Sequence, residues 1–487
     1  MNKLFLTILT ALILFTHAVN FRNSRKVAVL GTPKVYWATA VFASRPIQMA
    51  AFSKWLAEHG HPPVNLTIDP GNQGVQKLVV QGVAGVGADC VDLDLNQVPY
   101  VDEVGLARDQ EPIAREFGFS TDEYLPYVND ILRSGNRLLA APFSPFHMMY
   151  VVNEDAFEKL GMNSPPERWT FEQFESIGVE YVKRANAGKK RRDSWFSSGI
   201  WIDPLIRSLG LSYLNETLSA GTLNDARTVK TLERVKYWKE VLHLLPTAAE
   251  TSSLFSGSDV NLSQADYLIQ GRFAMLWTGR FVFTALRAVN GTSSFTAVEP
   301  PHGGIPNTLG LGRVTVLNMA GKNNELARYF MAFISSDDFS AVQADTADGM
   351  PPLKRWLTND RLLRPVGHTN EWKGHAAFTR GVSLAMVRET SPFCLTHEWQ
   401  KEIAGVESGY YSGVYTAPEA ARIMQEKIQQ NISKYLSRHP ERKPAYEKAL
   451  AKQKSIDAIK ARGEKVPAAM IDNPALRRLM LEGGKAF

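Results

Sequence analysis

Cysteine is scarce in this sequence, because only Cys90 and Cys394 occur among its 487 residues. Two thiols exclude a disulfide-rich scaffold and a cysteine-rich metal site. Their separation along the chain carries no geometric information. One disulfide bond and a pair of buried free thiols are therefore both compatible with the sequence.

Motifs of well-known chemistry are also absent. The sequence contains no Gly-x-Ser-x-Gly, no His-Glu-x-x-His and no Walker loop, and no Gly-x-Gly-x-x-Gly follows a predicted strand. The ten histidines form no cluster with the spacing of metal ligands. We therefore predict that the protein is not an enzyme and that it holds neither a metal nor another cofactor.

Long hydrophobic runs are confined to the N-terminus. The run from Leu4 to Phe15 follows Lys3 and precedes the polar stretch 20–26, which is the layout of an export signal. The run is shorter than the ~20 apolar residues of a membrane-spanning helix, but with Val19 included it is compatible with a tilted membrane anchor. We predict an export signal or membrane anchor in residues 1–26 and a periplasmic or other extracytoplasmic location.

The excess of positive charge is small, with a formal net charge of +6. Lys and Arg are spread along the chain and are most frequent near the C-terminus. A diffuse positive charge is weak evidence for binding to nucleic acid or anionic lipid. We therefore predict no nucleic-acid partner.

Strand-like and helix-like segments alternate after the N-terminal region. The stretches 27–30, 34–37, 64–69 and 89–93 are typical of strands, and 45–59 and 73–83 have helical spacing. This alternation predicts βαβ units and a mostly parallel sheet. Since ligands of such sheets bind beyond the C-terminal ends of strands, the loops after Trp37 and Leu93 are the first candidate sites.

Helical patterns dominate the remainder of the chain. Residues 169–287 are largely helical in pattern, 295–298 and 312–318 are predicted strands, and 324–334 and 418–435 are predicted helices. Beyond Ser437 the sequence is rich in charged residues and alanine, which predicts a helical C-terminal extension, clearest at 444–462. The total length predicts two or three compact lobes.

Short motifs recur in a consistent order between residues 27 and 435. They are Tyr36-Trp37, the Ala-Asp-Cys-Val-Asp-Leu of 88–93, the Val-Val-Asn-Glu-Asp-Ala-Phe-Glu-Lys-Leu-Gly of 151–161, the Gly-to-Phe segment 271–281 and the helix start at 324–330. Their order and spacing resemble the extracellular solute-binding proteins of ABC importers, in the sugar-type family that includes the maltose-binding protein. Val152 and Phe281 depart from this pattern, since the family usually has Tyr and often has Trp at these positions.

This resemblance implies a two-lobed α/β fold of the type II periplasmic-binding-protein class, with the ligand held between the lobes. The first lobe would comprise 27–138 and 296–346, the second 139–295 and 347–436, and residues 437–487 would form the extension. The implied function is capture of a mono- or oligosaccharide by hinge closure and its delivery to the permease subunits of an ABC transporter. The implied assembly is a monomer.

A carbohydrate site needs aromatic rings to stack on CH faces and short polar groups to bind hydroxyls. Side chains of both kinds occur at the predicted cleft loops, although Trp and Phe belong more often to a core and a lone His is more often structural. Asp92 and Asp94 are compatible with sugar binding or with an acidic turn that caps the next helix. Arg280 and Arg313 are compatible with an acidic sugar or with pairing to cleft carboxylates. The candidate ligand-binding residues are Trp37, Ser44, Arg45, Asp92, Asp94, Asn96, His147, Trp201, Trp277, Arg280, Phe281 and Arg313.

Two alternative functions are compatible with the same features. A secreted glycan-processing enzyme would share the aromatic and carboxylate side chains, but it would turn its substrate over. An anchored solute receptor would use the C-terminal extension to contact a signalling partner in place of a permease.

Overall fold

The computed structural model describes residues 31–72, 74–255 and 260–483. The predicted signal or anchor and the predicted strand at 27–30 lie outside these residues. Among the described residues, none of the helices has both the length and the apolar composition to cross a membrane.

The strands form two main sheets and one small hairpin. The first sheet has the order β12-β11-β3-β1-β2, with β6 also paired to β11, and the second has the order β10-β7-β9-β8. The hairpin consists of β4 and β5. The strands are β1 Lys34–Ala38, β2 Asn65–Ile68, β3 Cys90–Asp94, β4 Arg133–Ser134, β5 Arg137–Leu138, β6 Ala141–His147, β7 Met149–Asn153, β8 Trp195–Ser197, β9 Phe273–Thr278, β10 Phe295–Val298, β11 Thr308–Leu317 and β12 Ala385–Met386.

Helices surround both sheets and form most of the C-terminal third. The α-helices are α1 Arg45–Glu58, α2 Val75–Val83, α3 Val98–Glu103, α4 Glu111–Phe117, α5 Glu154–Glu158, α6 Phe171–Ala185, α7 Ile202–Ser208, α8 Ala226–Glu240, α9 Ala248–Leu254, α10 Val260–Ile269, α11 Val282–Ala288, α12 Asn324–Ile334, α13 Asp337–Thr346, α14 Asp360–Leu363, α15 Trp372–Gly381, α16 Thr396–Tyr411, α17 Ala417–Arg438, α18 Lys443–Ala461 and α19 Pro474–Gly483.

The predicted parallel βαβ arrangement is confirmed at the start of the first sheet. Strand β1 pairs in parallel with β2 and with β3, and Trp37 lies opposite both Ile68 and Cys90. Strand β11 then runs antiparallel to β3, with Arg313 opposite Asp94. The C-terminal ends of β1 and β3 therefore lie at one edge of the sheet, next to Arg313.

Two strands pair with the sheet of the other lobe from the one in which the prediction placed them. Strand β6 (141–147) pairs with β11 in the first sheet, whereas the prediction assigned it to the second lobe. Strand β10 (295–298) pairs with β7 in the second sheet, whereas the prediction began the first lobe again at residue 296. The chain therefore passes from the first sheet to the second at Met148 and returns at 299–307. The pairing of each strand with its neighbour determines the sheet to which it belongs.

The segment 169–287 contains two strands that a helical prediction missed. Every residue of β9 is buried, so the strand lacks the alternation of apolar and polar residues that marks a half-exposed strand. A short, continuously apolar run does not distinguish a buried strand from a buried helix. The helices at 324–334 and 418–435 were predicted to within about three residues, and α17 begins with a capping box between Thr416 and Glu419.

Aromatic side chains fill the core of each lobe. In the first lobe the rings of Trp37, Phe143 and Phe330 pack together, with centroids 5.0 Å apart in both contacts of Trp37. In the second lobe Phe174 packs against Trp238 at 4.5 Å. Cys90 and Cys394 are buried free thiols, which decides between the two alternatives left open by the sequence.

The C-terminal extension packs against the second lobe and the segment around β12. Ile456, Ile471 and Leu479 are fully buried. Buried Asn473 donates to the Ser212 hydroxyl and the Leu214 carbonyl, at 3.0 and 2.9 Å. The extension is therefore an integral part of the folded molecule.

Candidate ligand-binding cleft

A cleft of about 570 Å³ lies between the two lobes. The first lobe contributes the loop after β1, the end of β3 and part of β11, and the second lobe contributes α10 and α11. Its lining residues are Val41, Phe42, Ala43, Ser44, Arg45, Asp94, Ser144, Phe146, Asn261, Leu262, Phe281, Thr284, Ala285, Ala288, Arg313 and Asp348.

A second cavity of about 290 Å³ adjoins the first, and Asp94 and Phe146 line both. Its other walls come from the start of α7, from β11, from the segment after β12 and from α16. The further lining residues are Leu95, Asn96, Ile131, Trp201, Gly310, Leu311, Gly312, Val387, Arg388 and Gln400. We call these two neighbouring cavities together the cleft.

Aromatic rings lie along the full length of the cleft. Phe281 contacts Phe146 edge-to-face, with ring centroids 5.1 Å apart. Phe42 and Trp201 are 45% and 42% exposed, which leaves ring surface available to a ligand. A Cβ atom at Gly279 would lie 2.6 Å from the Phe281 ring, so the glycine makes room for that ring.

Two of the predicted aromatic contacts are wrong, because both rings belong to the core. Trp37 is fully buried and its indole nitrogen donates to Asp92 at 2.8 Å. Trp277 is 7% exposed on β9 and packs against Tyr150, with ring centroids 5.2 Å apart. Neither residue lines the cleft.

Ser44 and Arg45 build the wall of the cleft around Asp348. The Asp348 carboxylate accepts from the Ser44 hydroxyl at 2.9 Å and from the Arg45 guanidinium at 2.6 Å. Gln48 donates to the same oxygen at 3.1 Å. Ala347 and Gly349 flank this aspartate in the left-handed region, with φ of 57° and 93°. This tight turn after α13 directs the carboxylate towards α1.

Asp94, Asn96 and Arg313 lie in the cleft as predicted. Arg313 pairs with Asp94 at 2.9 Å. Of the two roles that the sequence left open for this arginine, the structure therefore favours pairing with a cleft carboxylate over contact with an acidic sugar. The Asn96 side chain donates to Gln400 at 2.6 Å. Asp94 also supports the short helical turn 95–97 through a capping box with Gln97, which is one of its two predicted roles, and sugar binding stays a prediction.

Asp92 is a structural residue, which corrects its prediction as a ligand contact. It is 2% exposed and accepts from Trp37 and from the Thr315 hydroxyl, at 2.8 and 2.7 Å. Burial raises the pKa of this carboxyl group, and these hydrogen bonds and the nearby Arg45 partly oppose that rise. Asp92 and Asp94 are two residues apart and share one face of β3. Asp92 lies within the buried part of the strand, whereas Asp94 stands at its exposed end and reaches the cleft.

Arg280 is also structural. Its fully buried guanidinium donates to the carbonyls of Gln343, Ala344 and Gly349, at 2.8 to 2.9 Å, and its Nε donates to His375 at 3.0 Å. Desolvation lowers its pKa to about 9. The side chain therefore joins the end of β9 in the second lobe to the end of α13 in the first.

His147 lies behind the wall of the cleft, where the prediction placed a contact. Its ring is fully buried and packs edge-to-face against Phe378 and Tyr127, at 5.5 and 6.3 Å. Burial lowers its pKa to about 3, and a backbone hydrogen bond at Phe378 offsets only part of this effect. The ring is thus neutral and structural.

Trp201 is held in place by an arginine that sequence reasoning missed. The Arg388 guanidinium lies 5.3 Å from the centre of the Trp201 ring. Arg388 forms two hydrogen bonds to buried Asp203, at 2.6 and 3.1 Å. Asp203 stands two residues after Trp201, at the start of α7, so the ion pair and the ring form one rigid unit.

Other cleft residues that the sequence did not reveal are Phe42, Phe146, Asp348 and Gln400. Asp348-Gly349, before the paired prolines 351–352, is a turn signal that could have drawn attention to Asp348. The others carry no local signal, because they reach the cleft only through the packing of the two lobes.

Comparison with known proteins gives a consistent picture. The family model described as bacterial extracellular solute-binding protein matches residues 43–340. A protein of Brucella abortus (strain 2308), named only as a binding protein, is 22% identical over 304 residues, covering 61% of this chain and 70% of its own length.

Two solved structures share the fold. An ABC substrate-binding protein of Listeria monocytogenes in complex with cycloalternan has a TM-score of 0.69 at 17% identity, covering 83% of this chain and 100% of that chain. A solute-binding protein of Thermotoga lettingae bound with α-D-tagatose has a TM-score of 0.68 at 16% identity, covering 82% of this chain and 100% of that chain. The predicted two-lobed, type II fold is thereby confirmed.

Proposed function

Since the chain belongs to the bacterial extracellular solute-binding proteins, we propose that it captures a neutral carbohydrate between its lobes and delivers it to the permease of an ABC importer. The family assigns solute binding outside the cytoplasm. The chemical class of the solute is inferred from the residues that line the cleft.

The observation that carries this proposal is the combination of aromatic rings and paired charges that line the cleft. Phe42, Phe281 and Trp201 supply apolar surface for the CH faces of sugar rings. Every arginine that lines the cleft has a carboxylate partner, namely Arg45 with Asp348, Arg313 with Asp94 and Arg388 with Asp203. Such pairs can form hydrogen bonds with the hydroxyl groups of a sugar. They leave no uncompensated positive charge that would attract an acidic ligand.

The size of the cleft favours an oligosaccharide over a single sugar. Its two neighbouring cavities have volumes of about 570 and 290 Å³ and share Asp94 and Phe146 in their walls. We assign Phe42 and Phe281 to the stacking of one sugar unit and Trp201 to the next. Ser44, Asp94, Asn96 and Arg313 are the proposed hydroxyl contacts.

The proposal also covers the setting of the protein. The chain acts as a monomeric binding protein without catalytic turnover, held outside the cytoplasm and tethered by residues 1–26 if that segment is retained. Each carboxylate that lines the cleft pairs with an arginine. A carboxylate paired in this way accepts hydrogen bonds from sugar hydroxyls, but it is a poor proton donor for catalysis. The relatives bound to cycloalternan and tagatose support a carbohydrate ligand.

A ligand screen with product analysis tests the proposal. The purified protein would be heated with maltose, maltotriose, cyclic tetrasaccharides, tagatose and galacturonate, and hits would be confirmed by calorimetry. We expect a neutral sugar to raise the melting temperature, because a ligand that binds only the folded state stabilises it. Chromatography of the same mixtures should show no product. Steady turnover would establish the glycan-processing enzyme in its place, and tight binding of galacturonate alone would overturn the neutral specificity.

A further inference from the structure

A row of contacts joins the lobes beside the cleft, on the side formed by residues 95–103 of the first lobe. This segment follows β3 and comprises the turn 95–97 and helix α3. It faces α16 and α17, which pack on each other and, through α17, on α8 of the second lobe. Contacts between these two groups of elements therefore bridge the lobes.

Three pairs of side chains make up this row. Asn96 donates to Gln400 at 2.6 Å at the edge of the cleft. Further out, the rings of Tyr100 and His397 lie 4.8 Å apart. The outermost pair joins the Glu103 carboxylate to His439 Nε2 at 3.1 Å.

The outermost pair is partly shielded from solvent. The side chains of Glu103 and His439 are 23% and 27% exposed, and the His439 ring stacks on Tyr435 at 4.4 Å. Burial, with Glu103 as the next cause, raises the pKa of Tyr435 to about 12. The second ring nitrogen of His439 faces Glu441 at 3.2 Å, and both residues belong to the start of the C-terminal extension. A contact of this kind is worth more than a fully exposed ion pair.

We propose that the pairs Asn96–Gln400, Tyr100–His397 and Glu103–His439 form an interlobe latch, which extends outwards from the edge of the cleft and sets ligand affinity by holding the lobes together. The proposal rests on capture by lobe closure. Contacts that exist only when the lobes meet raise the population of the closed form. Apparent affinity scales with that population, so Tyr100, Glu103, His397 and His439 act as positioning residues for binding.

The sharpest test uses the outermost pair, which does not line the cleft. E103Q and H439Q should each weaken the binding of the best neutral sugar by about two- to fivefold, mainly through faster dissociation. The double variant should lose no more than E103Q alone, because Glu103 contacts both His439 and Tyr435 and its replacement already removes the contact with His439. E441Q is the matched control, since Glu441 contacts the same ring without bridging the lobes. Its affinity should be unchanged.

Small-angle X-ray scattering without sugar tests the latch independently of the ligand. The radius of gyration should increase in E103Q and H439Q and stay at the wild-type value in E441Q, while all melting temperatures remain close to wild type. An unchanged radius in both latch variants would overturn the latch even if sugars bind. If the radius increases but none of the tested sugars binds, the latch stands and the proposed carbohydrate function fails.

Discussion

Burial separates aromatic residues that are identical in type. Trp277 lies within the sheet of the second lobe and is 7% exposed, whereas Trp201 stands before α7 and is 42% exposed. Only Trp201 presents a ring to the cleft, where Arg388 and Asp203 hold it. Whether an aromatic residue can bind a ligand therefore depends on its position in the fold. The contribution of each ring to the binding free energy can be measured by replacing one ring at a time.

Removing either proposed stacking ring should weaken carbohydrate binding. We expect W201A and F281A each to raise the dissociation constant by about tenfold, because each removes a large apolar contact with the sugar face. Calorimetry on the sugar found by screening measures this change. Y237A is the control, since Tyr237 is a comparably exposed ring on α8 that does not line the cleft. Equal losses in the control would remove Trp201 and Phe281 from the site.

Replacing Arg280 should destabilise the whole protein. R280M would leave three buried carbonyls and the His375 ring without their donor, and we expect a loss of at least about 3 kcal/mol in the free energy of unfolding. R280K should recover little of this, because one ammonium group cannot reach acceptors arranged around a planar guanidinium. Urea titration measures both. R364M, at an exposed arginine, should change stability by less than about 0.5 kcal/mol. A mild effect of R280M would show that the buried guanidinium is dispensable.

The buried ring of His147 predicts a loss of stability in acid. Its pKa is about 3 in the folded protein, whereas an unfolded histidine titrates near 6.5. Both states are neutral at this residue above pH 6.5, and below it the unfolded state binds the extra proton. Stability should therefore fall as the pH drops from 6.5 towards 3, by up to about 1.4 kcal/mol per pH unit.

H147F isolates this contribution, because every other titrating group remains in both proteins. The stability difference between H147F and wild type, from urea titrations at several pH values, should be constant above pH 6.5 and should shift in favour of H147F below it. A difference independent of pH between 4 and 8 would exclude a neutral buried His147.

At the scale of elements, the sequence predicts best where periodicity is strong. Helix α12 was predicted with both ends correct, and β1 and β3 to within about one residue. Strand β9 was missed because it is buried on both faces and shows no alternation. The assignment of β6 to the wrong lobe has a different cause. Which sheet a strand joins depends on its pairing with β11, more than 150 residues later, and no local pattern records that pairing.

The part of the C-terminal extension that follows the latch residue His439 should contribute to stability but not to ligand binding. N473A would remove buried hydrogen bonds to Ser212 and Leu214, and we expect a loss of about 1 to 3 kcal/mol in the free energy of unfolding. Affinity for the sugar should stay within about twofold of wild type, since the extension does not line the cleft. K454A, at an exposed position of α18, is the control and should leave stability unchanged. A large drop in affinity in N473A at temperatures where it is folded would place the segment around Asn473 in the binding mechanism as well.

At the scale of the whole molecule, the candidate site is formed only by the packing of the two lobes. Phe42 and Phe281 are more than 200 positions apart, yet both line one cleft. Seven of the twelve predicted contacts do line it, namely Ser44, Arg45, Asp94, Asn96, Trp201, Phe281 and Arg313. The other five come from the correct strand ends, but they point into the core. A sequence identifies the edge of a sheet more readily than the direction of each side chain at that edge.

The net positive charge of the protein lies in the C-terminal extension and not in the part of the chain that forms the cleft. Residues 437–487 hold twelve Lys and Arg against six Asp and Glu, so they account for the whole formal charge of +6. The remainder of the chain is balanced, and the cleft repeats that balance in its three arginine–carboxylate pairs. Binding of the proposed neutral sugar should therefore depend little on salt. We expect the dissociation constant to change by less than about twofold between 50 and 500 mM NaCl.

Breaking one pair should create the charge that the native cleft lacks. D94N leaves Arg313 without its carboxylate partner, so we expect it to bind galacturonate measurably at 50 mM NaCl and to lose that binding at 500 mM, as screening predicts for an exposed charge. D102N is the matched control, because Asp102 pairs with Arg137 away from the cleft. Calorimetry with galacturonate and with the neutral sugar on all three proteins measures the effect. If wild type already binds galacturonate with a steep salt dependence, the paired arginines do not determine specificity, and the proposal of a neutral ligand is wrong.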